Sequence, residues 1–107
     1  MKRVAQVIAV LPEKLDEYRE LHRGVPEPVL NRLRRCRIAN YSNHLLGDRL
    51  FAYFEYHGDD LAGDLALMAA DEATREWWRL TAPCQTPVAE AAPGAWWATA
   101  EQVFLME

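Results

Sequence analysis

The chain has 107 residues, half of them hydrophobic, with 12 basic against 16 acidic side chains and a formal net charge of -4. Folding at this length removes roughly two thirds of the extended chain's surface from water, enough for one core and not two, so residues 1–107 are expected to form one domain. With 5 glycines, 6 prolines and 10% aromatic residues the chain is neither disordered nor fibrous, and its acidic excess argues against a nucleic-acid partner, whose phosphates call for basic surface.

Cys36 and Cys84 form neither a C-x-x-C pair nor a zinc-like spacing, which points to a reduced, cytoplasmic protein. The apolar run from Val4 to Leu11 is interrupted by Gln6 and followed by Pro12-Glu13-Lys14 instead of a small-residue cleavage site, so it reads as a strand and not a signal peptide. The weakly polar stretch from Ala91 to Ala100 contains Pro93 and Gly94 and has about half the length of a membrane span, so no membrane association is expected.

In chain order, the first strand is predicted over Arg3 to Val10, where little polar surface remains, as in a central strand. Pro12 suits the first turn of a helix, Glu13 and Asp16 suit its dipole, and Leu15, Tyr18 and His22 share one face. Gly24 and Pro26 stop or kink that helix. A second helical stretch follows from Glu27, with Val29, Leu30, Leu33 and Cys36 as its buried stripe, and Arg32, Arg34, Arg35 and Arg37 read as a solvated, dipole-compatible helix end. Alternation from Arg37 to Leu46 places Ile38, Asn40, Ser42, His44 and Leu46 on one side of a strand, and Ala39, Tyr41, Asn43 and Leu45 on the other. Gly47-Asp48 closes a hairpin whose return strand runs from Leu50 to Tyr56 and carries one acidic residue, Glu55.

Asp59 or Asp60 can cap a helix bearing Leu61, Leu65 and Met68, and Asp71 can cap another bearing Trp77 and Trp78, which Pro83 ends. A loop of about a dozen residues is predicted between Pro83 and Gly94, long enough to serve a site or an interface. A last strand from Trp97 to Met106 completes a βαββαβ order, an α+β fold with an antiparallel sheet and helices on one face. The bare face left by this plan is expected to be covered by a second copy, sheet against sheet.

Tyr18 and His22, four apart on a helix, stack a phenol and an imidazole in one direction, as either a rim-of-core pair or part of a site. Asn40-Tyr41, Trp77-Trp78 and Gln102-Val103-Phe104 add the hydrogen-bonding and stacking groups that a sugar requires: aromatic faces against its C–H side and directed partners for its hydroxyls. Adjacent tryptophans on a helix point about 100° apart, so only one of Trp77 and Trp78 is expected to face a pocket. Trp96-Trp97 reads as an anchor for the loop or an interface, and Glu55 as either an orienting group or a solvent-facing strand position. His44 and His57 lie at no metal-ligand spacing.

Tyr18-x-x-x-His22, Asn40-Tyr41, the Phe51 to Glu55 strand, Trp77-Trp78 and Gln102-Val103-Phe104 together resemble the L-rhamnose mutarotase family in order and spacing over essentially the whole chain. The resemblance implies a ferredoxin-like, dimeric α+β barrel, a homodimer, no metal or organic cofactor, and interconversion of the α and β anomers of a deoxyhexose. It implies that His22 is the general acid/base, that Tyr18 and Tyr41 bind substrate, and that Trp77-Trp78 form an aromatic wall; Asn40 is expected to hold ring hydroxyls beside Tyr41. Where the family carries a Trp-Pro-Glu segment after the histidine, this chain reads Arg23-Gly24-Val25-Pro26-Glu27, one residue shorter and without the tryptophan. That departure bears on the choice among rhamnose, fucose and related sugars more than on the reaction. The same barrel would also suit a cofactor-free oxygenase or cyclase, or a non-catalytic ligand-binding role.

Overall fold

The computed structural model describes residues 1–107. The strand β1 (Lys2–Val10) occupies the centre of a five-stranded antiparallel sheet, as its nearly unbroken apolar run requires of a strand bonded on both edges. One edge of β1 pairs with β3 (Arg49–Tyr56), which in turn pairs with β2 (Ile38–Leu46). The other edge is shared by two short strands, β4 (Gln85–Thr86) opposite Ala9 and Val10, and β5 (Ala98–Ala100) opposite Ala5 to Val7.

The first crossover consists of α1 (Leu15–Leu21) and α2 (Glu27–Arg35); the second consists of α3 (Leu61–Ala70) and α4 (Glu72–Thr81). Short 3₁₀ turns at Pro12–Lys14 and His22–Gly24 flank α1, and Gly24 and Pro26 separate it from α2 as expected. Asp60 caps α3 by accepting from the Gly63 N–H, and Asp71 caps α4 by accepting from the Thr74 N–H, each satisfying a donor that the first helical turn leaves free. The βαββαβ order therefore holds, with each helical segment broken in two. No helix is long and apolar enough to cross a membrane.

Along β3, Leu50, Ala52, Phe54 and Tyr56 are buried, while Phe51, Tyr53 and Glu55 occupy the opposite face. The buried set joins two clusters. One contains Val4, Cys36, Ile38, Phe54, Tyr56 and Met68; the other contains Ile8, Val10, Tyr18, Leu50 and Cys84. Each fully buried aliphatic side chain among them contributes on the order of 1.5–3 kcal/mol. The carboxylate of Asp64 on α3 is also buried, and it is paired: the Tyr56 hydroxyl donates to it at 2.5 Å and Arg37 lies 3.3 Å away. The same hydroxyl accepts the Asp60 N–H at 3.0 Å, tying the start of α3 to the sheet. A Cβ at Gly58 would collide with that hydroxyl and with Arg37, so only glycine fits there.

Four expectations are corrected. The alternation along β2 breaks between Ala39, which faces Glu55, and Ser42, which faces Tyr53; Asn40 and Tyr41 together oppose Phe54. This is a β-bulge with Asn40 in the left-handed region at φ 51°, and it moves Ile38 off the side shared by Ser42 and His44 and into the core. The segment after Pro83 is not all loop, because Gln85-Thr86 form β4. The last strand is confined to Ala98–Ala100 instead of reaching Met106. Continued in register, Phe104 would already lie opposite Met1, so the end of the chain lacks a strand partner within the subunit. Finally, the arginines at the end of α2 are not simply solvated: Arg32 is half-buried 3.2 Å from Asp71, and Arg34 donates to Glu27 at 3.0 Å.

Candidate active site

Helix α1 ends at His22, whose backbone N–H bonds to the carbonyl oxygen of Tyr18. The same carbonyl lies 2.8 Å from His22 Nδ1. A carbonyl only accepts, so Nδ1 carries the proton in this bond and the neutral ring presents an unprotonated Nε2. The rings of Tyr18 and His22 lie 4.4 Å apart, and His22 meets the edge of Trp77 from α4 at 5.3 Å. Three of the expected residues are thus joined through His22, which touches the other two, and are held by two helices.

Tyr41 approaches from β2 on the helix-facing side of the sheet, its ring parallel to that of Phe54 at 5.6 Å. Although 40% of its surface is exposed, burial raises the pKa of its hydroxyl. It is also close enough to the Tyr18 phenol to disfavour ionisation there. Tyr18 is 4% exposed, and burial pushes its hydroxyl up to about 12, against an opposing hydrogen bond from Gln85. At neutral pH both phenols keep their protons and serve as hydrogen-bonding groups, not bases. Tyr41 further lines a concavity of about 310 Å³ with Leu30, Leu33, Ile38 and Asn40, which Tyr18, His22 and Trp77 do not line. A second depression, walled by Arg32, Arg35 and Asp71, contains none of Tyr18, His22, Tyr41 or Trp77.

Two expected residues lie apart. Trp78 is 40% exposed and has no ring contact with His22, leaving Trp77 as the tryptophan that faces it. Asn40 shares the concavity of Tyr41, but its amide is engaged by Glu55, to which it donates at 2.7 Å. Tyr53 donates to the other oxygen of Glu55 at 2.8 Å, and these bonds hold the carboxyl below the usual carboxylate range. Glu55 therefore organises the open face of the sheet.

Sequence reasoning missed Gln85. On β4 its side-chain N–H donates to the Tyr18 hydroxyl at 2.7 Å, while its carbonyl oxygen accepts the Trp96 indole N–H at 2.8 Å. Gln85 is the one amide side chain between Pro83 and Gly94, but the 67 residues separating it from Tyr18 leave no local trace of the contact.

A model of the L-rhamnose mutarotase family matches residues 3–106. The chain belongs to this family. Family membership makes the protein an isomerase of the mutarotase kind. An L-rhamnose mutarotase of Bacillus subtilis is 29% identical over 97 residues, 89% of this chain and 90% of the relative. One of Oceanobacillus iheyensis is 26% identical over 95 residues, 87% and 88% of the two chains. Among solved structures, the crystal structure of an L-rhamnose mutarotase from Formosa agariphila superposes with a TM-score of 0.77 at 22% identity, covering all of both chains. Tetracenomycin F2 cyclase from Streptomyces glaucescens, a type-II polyketide cyclase, superposes with a TM-score of 0.67 at 15% identity, covering 100% of this chain and 98% of the cyclase. At that identity the likeness is one of fold, the ferredoxin-like α+β plan that the mutarotase family shares with such cyclases.

Proposed function

We propose that the protein interconverts the α and β anomers of L-rhamnose, with residues 1–107 acting as one domain and His22 as its general acid/base. The observation that carries this reading is the bond from His22 Nδ1 to the Tyr18 carbonyl, which fixes the ring and leaves Nε2 to exchange a proton with the sugar. Anomer exchange breaks the bond between the anomeric carbon and the ring oxygen. The ring oxygen gains a proton and the anomeric hydroxyl loses one; rotation about the next carbon–carbon bond and reclosure give the other anomer. In the opening direction protonated Nε2 donates to the ring oxygen, and the proton of the anomeric hydroxyl passes to water; closure reverses both transfers. An imidazole suits both directions because it titrates near neutrality, and a positioned acid/base group contributes on the order of 10² to 10⁴ in rate.

In this reading Tyr18 and Tyr41, which keep their protons, bind sugar oxygens, and Trp77 lies along the apolar side of the pyranose. Asn40 and Trp78 are assigned no contact with the sugar. The functional unit is a homodimer formed across the open sheet face, which carries Phe51 and Val7, with the exposed apolar side chains of Val103, Phe104 and Met106 available to the partner. Two buried free thiols, Cys36 and Cys84, suit a reducing cytoplasm. Saturation-transfer NMR on L-rhamnose tests the assignment: His22→Gln should abolish enzymatic exchange with the fold retained, and full exchange in that variant would overturn it.

A further inference from the structure

The hydrogen bonds around Gln85 have only one consistent direction. The Trp96 indole N–H is a donor and cannot accept, so the Gln85 oxygen must face it, which turns the Gln85 NH₂ toward Tyr18. The Tyr18 oxygen therefore accepts from Gln85, and its own proton has to be given elsewhere. Resting on the mutarotase reading above, we propose that Gln85, set by Trp96, is a positioning residue that makes the Tyr18 hydroxyl a hydrogen-bond donor to an oxygen of the bound sugar.

Three features support this role. Gln85 opposes Val10, a core residue of β1, so its side chain emerges on the helix-facing side where Tyr18 lies. Val10 pairs in register with Gln85 and donates its N–H to the Asp48 carbonyl, while Leu11 next to it donates to the Cys84 carbonyl, which fixes the backbone beneath the amide. Trp96 belongs to the segment between β4 and β5, which is held to this side of the sheet by its indole N–H on Gln85 and by Trp97, packed against the cluster that contains Tyr18. The chain of bonds from Trp96 through Gln85 to Tyr18 links the connection to the residue that would address the substrate. A hydroxyl with a fixed donor role discriminates among sugar oxygens by geometry, because a misplaced acceptor leaves a buried proton unpaired.

Gln85→Glu inverts the arrangement while keeping its shape. As a carboxylate the new side chain only accepts; it takes the Trp96 N–H and the Tyr18 proton, and the sugar loses its donor. Once protonated, it can again donate to Tyr18. The expected result is an L-rhamnose exchange rate at pH 7 at least about fivefold below wild type, roughly the worth of one hydrogen bond. The ratio of variant to wild-type rate should climb back as pH falls through the introduced carboxyl's pKa. A purely structural role for Gln85 would leave that ratio flat across pH, and a flat ratio overturns the proposal.

Trp96→Phe provides an independent arm at a residue that is 44% exposed. Freed from the indole, the amide can flip, and KM for L-rhamnose should rise several-fold with an unchanged melting temperature; an unchanged KM also overturns the proposal. His22→Gln measured alongside separates the two levels. If exchange persists there, both the mutarotase mechanism and this proposal fall; if exchange is lost while the Gln85→Glu ratio stays flat, only this proposal falls.

Discussion

The rings of Tyr41 and Phe54 lie parallel on neighbouring strands, 5.6 Å between centroids and 9° between planes. The contact exists because the bulge sets both Asn40 and Tyr41 opposite Phe54; regular alternation would give Phe54 a single partner. Asn40 takes the strained position at φ 51°, which asparagine tolerates better than most residues, and Tyr41 is left to stack on Phe54 on the helix-facing side.

This division of labour predicts opposite results for adjacent residues. Asn40→Gly keeps the left-handed backbone and loses only the bond to Glu55, so exchange on L-rhamnose should stay close to wild type. Asn40→Val places a β-branched residue at φ 51° and should destabilise the fold by about 1–3 kcal/mol in a urea titration. Tyr41→Phe keeps the stack and loses the hydroxyl, with an expected rise of roughly fivefold to tenfold in KM. Loss of exchange in Asn40→Gly as complete as in His22→Gln would return Asn40 to the site.

Those neighbours also mark where sequence reading stops. Periods of 2 and 3.6 located the strands and helices, Pro12, Gly24 and Pro26 marked breaks, and Asp60 and Asp71 were legible as caps because capping is local chemistry. Tyr18 and His22 were legible as a pair for the same reason. The bulge was not, since nothing in Asn40-Tyr41 distinguishes an extra residue from regular alternation until β3 supplies a register. Gln85 was missed because its two partners come from α1 and a distant connection, and the last strand was overextended because its length depends on how much of β1 remains to pair with.

The open sheet face predicts association. Phe51 is 39% exposed on the side away from the helices, and Phe104, near the end of the chain, is 79% exposed; so much bare apolar surface is unusual for a lone subunit. In sedimentation at micromolar concentration the protein should run at twice its 12.3 kDa chain mass. Phe51→Glu, which puts a charge in the middle of that face, should shift it to monomer with its helical circular dichroism intact. A wild-type monomer under the same conditions would contradict the paired-sheet arrangement.

Acid should weaken the fold through carboxylates that the folded state keeps ionised, Glu55 and Asp71 among them. Glu55 is held below its ordinary pKa chiefly by the Asn40 amide and then the Tyr53 hydroxyl, and Asp71 by the Thr74 hydroxyl and N–H with Arg32 adding to them. In each case the folded state favours the ionised form, so the unfolded chain binds the proton more readily. The stabilisation is therefore fully present above about pH 4, near the unfolded values, and disappears as pH falls through the lower folded ones. Thermal melts of wild type and Asp71→Ala should differ most near neutrality and converge in acid as the wild-type cap loses its charge. Glu55→Gln should show the same convergence, though it leaves α4 untouched. A difference that stays constant from pH 7 down to pH 3 would mean that the shape of these side chains, and not their charge, supports the strand and the helix.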